Sequence, residues 1–193
     1  MRPAFTGHPG ASAILFLTLA IWTVIEVRQA MNRRAEATNK DRGSLMVVRL
    51  FAFAGVLLAA LAVKMTATSV QYSPVMFGVS LAVVWAGVGL RWWSFQTLGP
   101  YFTFTVMTSA NQPVITTGPY RFLRHPSYAG IMLILAGIGL TYGNWLSLGA
   151  LIFLPLIGFI YRIRVEESAL SAALGDAYTT FAGGRKRISP FVW

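Results

Sequence analysis

The fold class this sequence predicts is an all-α polytopic membrane protein: five transmembrane helices, a hairpin of helices four and five, and a short cytoplasmic C-terminal helix. Three observations carry it. Of 193 residues, 55% are hydrophobic and 11% charged, whereas a soluble domain keeps about a quarter of its residues charged. The apolar residues fall in five runs, at 11–27, 44–64, 75–98, 126–142 and 145–163. The basic residues lie in short stretches between those runs, as membrane topology requires. The same scattering argues against nucleic acid as a partner despite a net charge of +10, because no single basic soluble face results. With no cysteine, a disulfide framework, a thiolate metal site and a cysteine nucleophile are excluded. Only two histidines, His8 and His125, argue against a metal enzyme as well.

The first run is slightly short for a span of about 20 residues. Glu26-Val27-Arg28 follows it where a secretory signal would carry a small-residue cleavage site, so it reads as a retained helix. The loop at 28–43 is polar and basic, a connector beside anionic headgroups. Arg49 and Arg91 lie within apolar runs near their inner ends, where snorkelling to the interface is the simplest reading. Trp92 and Trp93 mark the inner edge of the third run, and Tyr142 and Trp145 the outer turn.

The turn Tyr142-Gly143-Asn144-Trp145 permits only a tight hairpin, so helices four and five are antiparallel neighbours. Gly130 and Gly137, and Gly139 and Gly143, predict close packing along one side of helix four. Pro155 predicts a kink or loosening in helix five. Beyond Glu166, the stripe Leu170, Leu174, Tyr178, Phe181 predicts a short interfacial helix, ended by Gly183-Gly184 and followed by Arg185-Lys186-Arg187. With the N-terminus outside, Arg2 and Lys64 are the only outer basic residues, leaving fourteen of sixteen inside. The chain is expected to be one integral membrane domain. Residues 1–90 supply helices one and two and the start of helix three; residues 91–193 carry the functional core.

Chemistry concentrates in GPYRFLRHPSYAG at 118–130 and in Arg162-Ile163-Arg164-Val165-Glu166-Glu167. Pro126 suits the first turn of helix four, and the free N–H groups of that turn would favour an anion beside His125. A basic anchor that only holds topology is the competing reading, and spacing alone leaves the two even. Arg162 and Glu166 share a face one turn apart, and the hairpin brings them to the same membrane side as His125 and Tyr128. Ionisable groups gathered at a membrane edge point to function.

RHPSYAG at 124–130, preceded by TTGPY at 116–120 and LGPYFTFTV at 98–106 and followed by Glu166-Glu167, resembles the isoprenylcysteine carboxyl methyltransferase family and its phospholipid N-methyltransferase relatives. The likeness continues through Leu170, GDAY at 175–178, Arg187 and Pro190, covering residues 91–193. It implies a membrane-embedded methyltransferase using S-adenosylmethionine at the cytoplasmic face. By the same resemblance the cofactor shell is Gln112, Val114, Ile115, Tyr120, His125, Pro126, Ser127, Tyr128 and Glu166, and Arg162 is the substrate arginine. Thr105 falls where the eukaryotic enzymes have glutamine, Gln112 where they have histidine, and Phe181 where tyrosine is common.

Those roles make chemical sense. A carboxylate such as Glu166 suits the cofactor's ammonium, and aromatic faces such as Tyr120 or Tyr128 suit a sulfonium. Arg162 can hold an acceptor carboxylate bidentately. An amine acceptor would need a base, and only His125 or Glu167 is at hand, which tilts the expectation towards carboxyl O-methylation; Arg162 and Glu167 are the expected catalytic residues. The expected partners are membrane lipids and a lipophilic or prenylated acceptor entering from the bilayer, in a bacterial inner membrane or its equivalent. Phospholipid or amine N-methylation, a NADPH-dependent lipid reductase and a non-enzymatic scaffold or transporter are the alternatives.

Overall fold

Six α-helices and three short 3-10 turns make up about three quarters of the residues described by the computed structural model, which are 4–31, 38–64, 69–108 and 112–189. Arg2, the loop residues Arg33 and Arg34, and Pro190 lie outside the described residues. The helices are α1 (Pro9–Ala30), α2 (Ser44–Ala62), α3 (Pro74–Leu98), α4 (Pro126–Thr141), α5 (Trp145–Leu174) and α6 (Asp176–Gly183). Each of the first five apolar runs is thus a helix, with proline in the first turn of α1, α3 and α4, where its fixed φ is accommodated and no N–H is lost to the ladder. Helices α1, α2, α3 and α5 are long and apolar enough to cross a membrane, whereas α4 is a shorter apolar helix of 16 residues. At 1.5 Å per residue α4 spans about 24 Å, less than the ~30 Å hydrocarbon core. Large apolar side chains such as Phe16, Phe53, Val75 and Phe153 stay exposed, as lipid-facing positions do.

Two antiparallel helix pairs form the body, α3 with α4 and α2 with α5, and α4 packs on α5 to join them. Close approach comes from glycine. A Cβ on Gly87 would sit 2.6 Å from the Gly130 carbonyl oxygen, and one on Gly137 would sit 2.8 Å from that of Ser80. Gly130 and Gly137 therefore do pack along one side of α4, against α3, while Gly139 meets Leu148 of α5. On the other pair, Gly158 lies against Val48, and Gly55 against Ala150 and Pro155. Pro155 is fully buried in that contact, and α5 continues through it as one helix.

Polar caps lock the α4–α5 turn. Asn144 caps α5 by accepting from the Ser147 N–H at 3.0 Å, while its amide donates to the Ala62 carbonyl and the Ser147 hydroxyl donates to that of Ala59. The hairpin turn uses Gly143 at φ +61, a conformation that suits residues without a Cβ.

The sequence reading differs from the structure at the inner end of α5. That helix does not stop near residue 163 but runs to Leu174, so Arg162, Glu166 and Glu167 lie inside a continuous helix. Gly175 at φ +54 then turns the chain into α6. The apolar stripe is split accordingly, with Leu170 and Leu174 on α5 and Tyr178 and Phe181 on α6.

Arg91 does not snorkel. It is 3% exposed, its guanidinium forks onto Glu26 of α1, with Nη2 2.7 Å from Oε2, and Nη1 donates to the Ser127 hydroxyl at 2.6 Å. Trp22 donates to the same carboxylate at 2.9 Å, so α1 is fastened to α3 and to the first turn of α4 by one buried ion pair. The pairing satisfies both charges, which burial alone would make costly.

The α3–α4 crossing yields a direct test. Gly87→Ala is expected to destabilise the protein by about 1–3 kcal/mol through overpacking, read as a lowered thermal midpoint in detergent micelles. Gly89→Ala on the same helix, where a Cβ meets nothing within 4 Å, should leave the midpoint unchanged or slightly raised.

Candidate functional site

The helix ends opposite the α4–α5 turn enclose an open cavity of about 860 Å³, including the solvent at its mouth. Three parts of the chain wall it. The first is the segment after α3, whose Phe102, Thr103, Thr105, Val106, Met107 and Thr108 line one side. The second is the turn before α4 with the start of that helix. The third is the inner end of α5 with α6, contributing Leu170, Leu174, Tyr178 and Phe181.

Of the expected cofactor shell, Gln112, Val114, Ile115, Tyr120, His125, Ser127, Tyr128 and Glu166 all line this cavity. Pro126 is fully buried in the first turn of α4 and is absent from the lining. Arg162 and Glu167 also lie off it. Residues 98–108, the Leu170–Leu174 face and α6 also contribute wall residues that the expected cofactor shell did not include.

The two adjacent glutamates divide the electrostatics. Glu166 faces the cavity. Its Oε2 accepts from the Tyr128 hydroxyl at 2.7 Å and lies 3.8 Å from His125 Nδ1. Glu167 turns away to the tail: Arg124 Nη1 donates to its Oε1 at 2.8 Å, Arg187 donates twice to its Oε2 at 2.8 and 3.0 Å, and His125 Nε2 is 3.3 Å from Oε1. Backbone bonds reinforce the tie, the Arg124 N–H to the Lys186 carbonyl and the His125 N–H to that of Arg187. The tail after α6 is thus clipped alongside the turn before α4. One consequence is that the α4 first turn offers fewer donors to an anion than its sequence suggests. The His125 N–H is used by Arg187, the Tyr128 N–H bonds back to the His125 carbonyl, and Pro126 has none.

Tyrosines supply the remaining polar atoms. Burial pushes the Tyr120 hydroxyl up, and the Glu166 carboxylate adds to it. Burial likewise raises Tyr178, aided by Glu167 and Glu166. Both therefore remain O–H donors at neutral pH. The Tyr178 hydroxyl is buried without a hydrogen-bond partner among the described residues, an arrangement that costs about 1–3 kcal/mol unless something fills it.

Arg162 is 3% exposed, and every nitrogen of its guanidinium is engaged. Its Nε donates to the Tyr128 hydroxyl at 2.8 Å, and its Nη1 to Asp41 Oδ1 at 2.8 Å and to Ser44 Oγ at 3.0 Å. Its Nη2 donates to the Phe104 carbonyl. Asp41 accepts three further bonds, from the Ser44 hydroxyl and from the N–H groups of Leu45 and Val106. Asp41 and Ser44 precede and open α2, in the part of the chain where no motif was visible. Aspartate followed three residues later by serine at the start of an apolar run was the available signal.

A family model for the isoprenylcysteine carboxyl methyltransferase family matches residues 79–172, so the family likeness read from RHPSY and Glu166-Glu167 is borne out there. Protein-S-isoprenylcysteine O-methyltransferase of Schizosaccharomyces pombe is 30% identical over 113 residues, 56% of this chain and 46% of that protein. Protein-S-isoprenylcysteine O-methyltransferase A of Arabidopsis thaliana is 30% identical over 118 residues, 60% of this chain and 59% of that protein. An uncharacterized Bacillus subtilis protein, YpbQ, is 27% identical over 81 residues, 42% of this chain and 48% of its own. The chain thus spans about half the length of these curated relatives. A solved structure of the eukaryotic intramembrane Ras methyltransferase, isoprenylcysteine carboxyl methyltransferase, superposes with a TM-score of 0.63 at 22% identity, over 98% of this chain and 67% of that one. The likeness places the two in one helical fold.

Two measurements check the site's construction. Burial pushes the Asp41 carboxyl up, but the N–H donors of Leu45 and Val106, the Ser44 hydroxyl and Arg162 outweigh it and hold it below the usual range. Its stabilising effect is therefore full above the unfolded value of about 4 and is lost as pH falls through the lower folded value. The thermal midpoint of the wild type should drop more steeply below about pH 4 than that of Asp41→Asn. Glu167→Ala should release the tail, read as faster tryptic cleavage at Arg185–Arg187 together with a lowered midpoint.

Proposed function

We propose, on the premise that residues 79–172 match the isoprenylcysteine carboxyl methyltransferase family, that this chain is an integral membrane S-adenosylmethionine-dependent methyltransferase. Its acceptor is the carboxylate of an isoprenylcysteine-like or other lipophilic molecule, methylated at the cytoplasmic membrane face. The single observation that carries the reading is the cavity in which Glu166 stands beside His125 among Tyr120, Tyr128 and Tyr178.

The residues present fit the cofactor. Glu166 Oε1 has no recorded partner among the described residues, so the carboxylate retains capacity for an ammonium while Tyr128 holds its other oxygen. The unpartnered Tyr178 hydroxyl is a donor awaiting an acceptor. Aromatic walls at Tyr120 and Phe102 suit a flat base or a sulfonium face. When bound, S-adenosylmethionine supplies a methyl carbon already activated towards nucleophiles. The chain's own contribution is then orientation and exclusion of water. Gln112, Val114, Ile115 and Ser127 shape the enclosure, Pro126 sets the turn that presents Ser127 and Tyr128, and Arg162 is the clamp for an acceptor carboxylate.

Carboxyl O-methylation is favoured over amine methylation by the state of Glu167. Two arginines occupy that carboxylate, so it serves as a tie rather than as a base, and an ionised carboxylate acceptor needs no base. The role of Glu167 in this reading is to hold His125 and the tail in register with the cavity.

The same reading assigns five membrane crossings. The helix directions alternate, and α4, too short alone, is extended by the flanking turns. The N-terminus lies outside, and the cavity, the 28–43 loop and the C-terminal tail are cytoplasmic. The chain is one domain, with residues 91–193 carrying the cofactor core and residues 1–90 bracing it through Glu26, Asp41 and Ser44.

Glu166→Gln preserves the Tyr128 contact but removes the charge, so affinity for S-adenosylhomocysteine, measured by calorimetric titration in micelles, should fall at least about tenfold. Unchanged affinity would sink the cofactor assignment. Labelled methyl transferred to an S-farnesylated N-acetylcysteine should be released by mild base as an ester; label that resists base would point to N-methylation.

A further inference from the structure

We propose that Asp41 is a resident stand-in for the acceptor carboxylate: it holds Arg162 in a closed latch, and an incoming substrate carboxylate takes its place on Arg162 Nη1. The proposal rests on the methyltransferase reading above and concerns how the acceptor enters that same site.

Four observations lead to it. First, Arg162 is 3% exposed, and all three of its nitrogens donate within the protein, to Tyr128, Asp41, Ser44 and Phe104. A guanidinium in this state is not available to a ligand until a partner yields. Second, only one of those partners is a carboxylate, the group a methyl acceptor would present. A buried cation without a counter-charge is strongly disfavoured, so a clamp buried this deeply requires an anion in the acceptor's absence. Asp41 meets that need at 2.8 Å.

Third, the exchange is asymmetric in cost. When Arg162 leaves, Asp41 still accepts from the Ser44 hydroxyl and from the Leu45 and Val106 N–H groups, which are well suited to a carboxylate. Arg162 without Asp41 would instead need the new carboxylate. One anion therefore replaces the other on Arg162, while Asp41 keeps three hydrogen bonds that offset the loss of its cation.

Fourth, the latch is attached to the cavity wall. Asp41 follows strand β1 (Thr38–Asn39), which pairs antiparallel with β2 (Met107–Thr108), and the Lys40 N–H bonds the Val106 carbonyl. Val106, Met107 and Thr108 line the cavity, and Phe104, whose carbonyl holds Arg162 Nη2, lies in the same segment. Opening at Arg162 thus loosens the wall through which an acceptor head group must pass, and closure by Asp41 restores it. Asp41 acts through Arg162 and is a positioning residue, setting how strongly the enzyme discriminates a carboxylate from its neutral ester product.

The test compares an S-farnesylated N-acetylcysteine with its methyl ester in full-length protein reconstituted in phospholipid vesicles. Asp41→Asn removes the competing charge and should lower KM for the acid roughly tenfold, the scale of one charge-assisted hydrogen bond. Inhibition by the ester and affinity for S-adenosylhomocysteine should stay within about twofold of wild type, since neither the neutral ester nor the donor competes with Asp41. Ser44→Ala, which removes the hydroxyl that Arg162 and Asp41 share but no charge, should shift KM in the same direction by less, and it stands in if Asp41→Asn fails to fold. An unchanged or raised KM for the acid with donor affinity intact overturns the latch. So does a parallel shift for acid and ester, which would mark a purely structural role. A wild type that binds donor and methylates the acid while the variants show either result rejects the latch alone; a wild type that does neither rejects the methyltransferase reading and the latch with it.

Discussion

A buried guanidinium, that of Arg162, is the constraint around which the inner end of this protein is assembled. Its four partners come from three separate stretches: residues 41–44 at the start of α2, the segment after α3, and α4. A cation 3% exposed tolerates no missing partner, because the desolvation penalty of several kcal/mol is offset only when its donors are met. Satisfying it therefore aligns three otherwise separate pieces of chain with α5. The cavity wall, the α2–α5 pair and the Tyr128 hydroxyl inherit their positions from that alignment. Arg91 does comparable work one layer deeper, binding Glu26 and Ser127 and so holding α1 and the α4 turn to α3.

The adjacent pair Glu166-Glu167 illustrates how one helix serves two purposes. Successive residues on an α-helix point about 100° apart, so two carboxylates in a row cannot share a task. Here one faces the cavity and accepts from Tyr128, while the other is consumed by Arg124 and Arg187. His125 sits between them, 3.8 Å from the first and 3.3 Å from the second. The tail clip and the cavity are therefore mechanically joined through a single imidazole. This arrangement works only because α5 continues as helix well past its apolar run.

Much of the fold was legible because membrane helices announce themselves by length and apolarity, and because a four-residue turn admits one hairpin. The glycines of α4 were legible as a packing face, but their partner Gly87 was not, since which helix approaches is decided in space. The end of α5 was misplaced for a related reason. The apolar run ends near residue 163, whereas the hydrogen-bond ladder continues through Arg164, Glu166 and Ser168 to Leu174. In the site, the cavity-lining positions close to RHPSY were visible as a motif, and eight of the nine expected residues do line the cavity. Asp41 and Glu26 were invisible as partners, because each lies 65 or more residues from the arginine it meets.

What the sequence determined by itself was the helical membrane class, the α4–α5 hairpin and the family likeness, all of which rest on local periodicity, short turns or contiguous motifs. Only the tertiary structure decided which charges are spent. A guanidinium reads the same in sequence whether it waits for a ligand or is already bound. The difference lies in whether a carboxylate from a distant loop has been folded to within hydrogen-bond reach, and for Arg162 that carboxylate is Asp41.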